Sequence, residues 1–234
     1  MGTLKNTKNL ALLAIVAQGL KSLKEKVVFV GGAIIDLHLD PAAPESRPTD
    51  DVDCVVEIAA KSQYHDFEGE LRKLGFAHPM GEKAPICRWK FQGVQVDVMP
   101  TKGAVLGFNN RWYQDGMERA ERFTLPDGLG ILAFSAPYLL ASKIEAFLDR
   151  GKGDYLGSAD MEDIIALLDG SPDIEDKIRK APADIREYLA MQLGRMLDTE
   201  SFLNGLDGNL RAGPAGIQRV ERCIGIIKRI AQRK

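Results

Sequence analysis

Cysteine is scarce in this chain of 234 residues: Cys54, Cys87 and Cys223 are the three present, far apart and with no CxxC pair. An odd, scattered set excludes a disulfide framework and a thiolate zinc site, and leaves reduced, buried thiols as the expectation. Histidine is as sparse, and His38, His65 and His78 fall on separate predicted segments and form no ligand set. No apolar run approaches the ~20 residues that a bilayer crossing requires. The first residues carry no charged-then-apolar signal with a small-residue cleavage site. A cytoplasmic protein with no membrane partner is therefore expected. Charge of one sign is lacking too, because a formal net charge of -2 supplies no global attraction to nucleic acid. Cations gather only in the last predicted helix, at Arg219, Arg222, Lys228 and Arg229, followed by Arg233 and Lys234. Two readings stay open for it: a solvated face whose cations suit a helix C-terminus, and a phosphate-contacting tail.

What is present is an ordinary globular composition, 45% hydrophobic and 27% charged, without internal repeats. The informative stretch is 27–56, VVFVGGAIIDLHLDPAAPESRPTDDVDCVV. It reads as a strand, a Gly31-Gly32 turn, a helix, a proline-broken loop, and a second strand opened by Asp51 and Asp53. Side chains alternate across a strand, so Asp51 and Asp53 share one face while Val52, Cys54 and Val56 line the other. Paired carboxylates at the end of an apolar strand repel each other unless a cation lies between them. The glycines let the backbone approach a neighbour closely, either as a packing turn or as a phosphate cradle.

Upstream, Leu10, Leu13, Val16, Leu20 and Leu23 repeat at helical spacing. Downstream, a helix over 62–74 is capped by Gly75, and a hairpin over 86–99 turns at Gln92-Gly93. In its second arm Val94, Val96 and Val98 alternate with Gln95, Asp97 and Met99, which places Asp97 on the face opposite the valines. With helices on one face of the sheet only, Asp51, Asp53 and Asp97 can stand together on the open face. An ordered loop with Arg111 and Trp112 follows, then a hairpin-like segment ending near Asp127 and Gly128. From Pro137 the pattern turns helical, with a helix through Lys143 and Phe147, one from Ser158 to about Leu168, and two more over 183–197 and 216–231. The expected class is α+β: a mixed sheet with helices on one face over 1–133, followed by a helical second half over 134–234.

Gly31-Gly32, the run Arg47-Pro48-Thr49-x-Asp51-x-Asp53 and the strand residue Asp97 together resemble the DNA polymerase β nucleotidyltransferase superfamily. Its pattern is a GG or GS turn, a loop, DxD on the next strand and a third Asp on an adjacent strand. The second half resembles the AbiEii-type nucleotidyltransferase toxins through KIEAF at 143–147, Arg150-Gly151, Gly153-Asp154, Ser158 and DMEDI at 160–164, with GFNNRWY at 107–113 also similar. The loop between the glycines and DxD is longer than the tightest form of that pattern.

The resemblance implies a nucleotidyltransferase that moves NMP from an NTP to a hydroxyl acceptor. Mg²⁺ or Mn²⁺ would be held by Asp51, Asp53 and Asp97, and the nucleotide by Gly31, Gly32, Thr49, Lys143 and Arg150. Catalytic residues would be Asp51, Asp53, Asp97, Lys143 and Asp160. For Asp160 and Asp163 a purely structural role at a helix N-terminus, paired with Arg150, stands beside the functional one. A tRNA 3′ end is the implied acceptor, with a cognate antitoxin as a further partner. An aminoglycoside-type small molecule, or a binding protein without turnover, are the alternatives.

Overall fold

The computed structural model describes residues 5–58, 60–79, 84–103, 105–106, 110–212 and 215–232. They form two compact units, Met1–Leu37 with Pro48–Ser135, and His38–Arg47 with Ala136–Lys234. The proline-containing segment after the glycine turn thus packs with the helical half, where Asp40 N donates to the Gly170 carbonyl at 2.8 Å.

The first unit is built on a six-stranded sheet of order β3-β4-β2-β1-β6-β5. The strands are β1 (Val27–Val30), β2 (Asp51–Val56), β3 (Arg88–Phe91), β4 (Val94–Pro100), β5 (Glu121–Thr124) and β6 (Gly130–Ala133). β2 runs antiparallel to β1 and parallel to β4, and β3 closes the hairpin with β4. The helices of this unit are α1 (Lys8–Leu20), α2 (Lys61–Lys73) and α3 (Tyr113–Glu118). α1 starts where Thr7 caps it, its hydroxyl oxygen accepting from Leu10 N at 3.3 Å. Leu10, Leu13, Val16 and Leu20 of its apolar stripe are all fully buried. A short 3-10 helix, Lys21–Glu25, carries the chain on from there into β1.

The sheet is mixed and the first half otherwise follows expectation, with four refinements. The stretch after the glycines is a six-residue 3-10 helix, Gly32–Leu37, rather than an α-helix through Leu39. The loop after the β3-β4 hairpin contains α3, and the second hairpin turns around Asp127 and Gly128 instead of ending there. The face that carries the carboxylates is covered at its other end, where Val28 and Val55 are buried and the Tyr113 hydroxyl of α3 lies 3.6 Å from the Met99 sulfur.

The second unit is helical: α4 (Ala136–Arg150), α5 (Ala159–Gly170), α6 (Ile174–Lys180), α7 (Ala183–Leu197), α8 (Glu200–Leu210) and α9 (Gly216–Ile230). α6 and α8 are additional to the helices expected; α6 has seven residues, under two turns, while α8 buries Phe202, Leu206 and Leu210 at helical spacing between glycines and polar residues. The arginines of α9 have intramolecular partners. Arg219 and Arg222 both bond Asp169, which is buried in the last turn of α5, and Arg229 forms a bidentate pair with Glu175. These ion pairs occupy the guanidinium groups that a phosphate-binding tail would use; Arg233 and Lys234 lie outside the described residues.

Candidate active site

Register brings the three acidic residues together. In the parallel pair β2-β4, Asp53 stands directly opposite Asp97, and Asp51 lies two residues along on the same face. One carboxylate oxygen from each of Asp51, Asp53 and Asp97 falls within 4.8 Å of the others, and among the described residues no other His/Cys/Asp/Glu group is so arranged. Three negative charges this close raise one another's energy in proportion to their proximity. The donors are all carboxylate oxygens, the chemistry of a hard divalent cation such as Mg²⁺ or Mn²⁺ rather than of zinc or copper. The donor set therefore fits the expected ion.

The glycine turn serves this cluster directly. Gly31 follows β1 with φ +77°, and a Cβ built on it would clash with Asp53 Oδ2 and lie 2.9 Å from Asp53 Cγ. The first glycine makes room for a carboxylate. Gly32 is buried and opens the 3-10 helix, which is too short to aim a set of amides as an α-helix N-terminus does. Thr49 is likewise committed to the cluster: its hydroxyl donates to Asp51 Oδ1 at 2.6 Å, while its backbone N–H donates to Asn9 Oδ1 at 3.0 Å. It holds a carboxylate in place rather than presenting its proton outward.

Arg88 was absent from the sequence-based site. It faces Asp97 across the hairpin, donating from Nε to Oδ1 at 2.9 Å and from NH2 to Oδ2 at 2.7 Å. The hydrogen bonds with Asp97 raise the Arg88 guanidinium above its ordinary pKa despite partial burial. Cys54, on the opposite face of β2, is buried, and desolvation followed by the charges of Asp53 and Asp97 pushes its thiol far up. Burial and then Asp97 push Cys87 up to about 12. Both are free and un-ionised, as expected for buried thiols.

The remaining candidates form a second cluster within the helical unit. Lys143 on α4 lies with its Nζ 2.6 Å from Asp163 Oδ2 and 3.2 Å from Asp160 Oδ1, both on α5. Arg150 grips Asp160 with two hydrogen bonds, Nε to Oδ2 at 2.7 Å and NH2 to Oδ1 at 2.9 Å. Arg47 reaches Asp163 from the proline-containing segment, donating to Oδ2 at 3.0 Å; Oδ1 is 3.0 Å from its Nε in ion-pair contact but off the hydrogen-bonding line. Lys143, Asp160 and Asp163 are all buried, and Arg150 is exposed. Asp154 instead accepts from Leu156 N and Gly157 N, a loop-forming role. Of GFNNRWY, 107–109 lie outside the described residues, and Trp112 is buried as a core residue.

Burial alone would raise the Asp160 carboxyl. The hydrogen bonds from Arg150, then the charges of Lys143 and Arg150, outweigh it and hold the group below the ordinary value. A carboxyl whose folded pKa is depressed stabilises the fold fully above its unfolded pKa, and that contribution is lost as pH falls through the folded value. Arg150→Gln brings the folded value closer to the unfolded one, so less stability is expected to be lost as pH falls, and urea unfolding followed by circular dichroism at several acid pH values should show a shallower pH dependence than in the wild type. Stability at neutral pH changes little, because Arg150 is well solvated.

No family model matches the sequence, and no curated protein matches it. Among solved structures, the chain is similar to the antibiotic-resistance factor ANT(2'')-Ia, at 14% identity and a TM-score of 0.48, over 83% of this chain and 100% of that one. It is also similar to JHP933 from Helicobacter pylori, at 10% identity and a TM-score of 0.46, over 97% of this chain and 93% of the other.

Proposed function

We propose that the protein is a divalent-metal-dependent nucleotidyltransferase that moves a nucleoside monophosphate from an NTP to a hydroxyl acceptor. The observation that carries this is the convergence of Asp51, Asp53 and Asp97 on one face of the sheet, with Gly31 left bare to admit the Asp53 carboxylate. A cation held by these three residues supplies charge stabilisation to a transferring phosphoryl group. The chain's own contribution is positional: Thr49 orients Asp51, the β2-β4 register sets Asp53 against Asp97, and Arg88 orients Asp97. Asp97, by the resemblance of its motif, is the group expected to draw the proton from the acceptor hydroxyl.

By the resemblance of their motifs, Lys143 and Arg150 belong to the same reading as nucleotide-binding residues, and Lys143 and Asp160 as catalytic ones. Their mutual ion pairs give each a structural role as well. A tRNA 3′ end is the acceptor to test first, and an antitoxin the partner, on the strength of the KIEAF and DMEDI motifs. Incubation with labelled NTPs, Mg²⁺ and total RNA is expected to label RNA with the wild type. Asp53→Ala should reduce labelling by more than about a hundredfold, beyond the range typical for losing a residue that only supports a metal ligand. Label appearing on an aminoglycoside and not on RNA would reassign the acceptor; no Asp53-dependent transfer to either would remove the enzyme reading.

A further inference from the structure

Resting on that reading, the geometry points to Arg88 as the resident counter-cation of the carboxylate cluster, one that competes with the metal for Asp97 and sets the affinity for free cation. Three observations support it. The guanidinium engages both oxygens of Asp97, one hydrogen bond to each, at 2.9 and 2.7 Å. Asp97 offers an oxygen to the same cluster as Asp51 and Asp53, so Arg88 is beside the place where a shared cation sits. Arg88 lies on the edge strand β3 with its side chain 29% exposed, so its head can swing toward water without disturbing the core.

Without an ion, three carboxylates need compensation, and the cluster has it from the Arg88 fork on Asp97 and the Thr49 hydroxyl on Asp51. Planar bidentate pairing makes arginine suited to this role. When a divalent cation arrives, it and Arg88 are like charges on one carboxylate, and each weakens the other's hold. The pairing therefore keeps the cluster intact while empty and makes free cation bind weakly.

Arg88 is a positioning residue by this account, and the sign of its effect separates it from a scaffold. If Arg88 only braces Asp97 in its binding geometry, removing it loosens a ligand and weakens metal binding. If it is a competing cation, removing it tightens binding. Mn²⁺ titration followed by the electron paramagnetic resonance signal of the free ion, without nucleotide, reads this directly. Arg88→Gln is expected to bind Mn²⁺ about tenfold more tightly than the wild type, the order expected for removing a unit charge a few ångströms from a divalent ion. Arg88→Lys, which keeps the charge, should stay near the wild type. Unchanged or weaker binding by Arg88→Gln overturns the inference. An Asp53→Asn control separates the two levels: if neither the wild type nor Arg88→Gln shows Mn²⁺ binding that depends on Asp53, the metal site itself falls.

Discussion

Lys143→Met is expected to destabilise the protein by about 3 kcal/mol, at the lower end of the range for breaking a buried ion pair. The ammonium bridges two carboxylates on α5, and the side chains of Lys143, Asp160 and Asp163 are 7%, 5% and 1% exposed. Removing it leaves both acids in low-dielectric surroundings with only their arginines. Asp163 retains Arg47, and Asp160 retains Arg150, which is why the loss stays at the low end. Arg150→Ala, on the rim, should cost less than about 1 kcal/mol by the same measure. Urea unfolding of the two variants checks the contrast. The resemblance assigns Lys143 to the nucleotide and to catalysis; the pairing with Asp160 and Asp163 gives it a part in the fold as well. A double variant, Lys143→Met with Asp163→Leu, should recover part of the loss, because it removes the stranded charge along with its partner. If Lys143→Met alone is as stable as the wild type, the buried network contributes nothing and the ammonium is free to serve a phosphate.

How much of this could be read from residues alone depends on which register was involved. Asp51 and Asp53 share a face because they are two apart on one strand, and that needed only the pleat. Asp97 needed the alternation Val94, Val96, Val98 and nothing more. That Asp53 and Asp97 stand opposite each other is a different matter, since β2 and β4 pair in parallel across a long connection and no local signal fixes the alignment. Arg88 is legible from the turn alone. A two-residue turn at Gln92-Gly93 dictates hairpin register, and counting outward from it sets Arg88 against Asp97. α3 and α6 escaped notice because six- and seven-residue helices hold less than two turns of pattern. The pairing of Lys143 with both Asp160 and Asp163 follows from α4 meeting α5, a packing that the two separate motifs do not specify.

Gly31→Ala is the second change with a large expected effect, and it couples fold to site. Alanine at φ +77° pays left-handed backbone strain of about 1–2 kcal/mol wherever it occurs. Here the added methyl also meets the Asp53 carboxylate, with Asp53 Cγ only 2.9 Å from the new carbon and Asp53 Cβ at 3.0 Å. Asp53 has a short side chain on a strand whose register is held on both sides, by β1 and by β4, so the strand cannot slide to relieve the contact. The carboxylate must turn away, and the cluster loses one of its three oxygens. Gly31→Ala is therefore expected to lower stability by more than the strain alone and to abolish Asp53-dependent Mn²⁺ binding. The two parts separate in a cycle with Asp53→Ala: in that background the carboxylate contacts are gone and only the tight Cβ contact at 3.0 Å is left, so Gly31→Ala should cost clearly less than in the wild type. Equal costs in both backgrounds would mean that Gly31 is needed for its backbone conformation and that the space it leaves beside Asp53 is incidental.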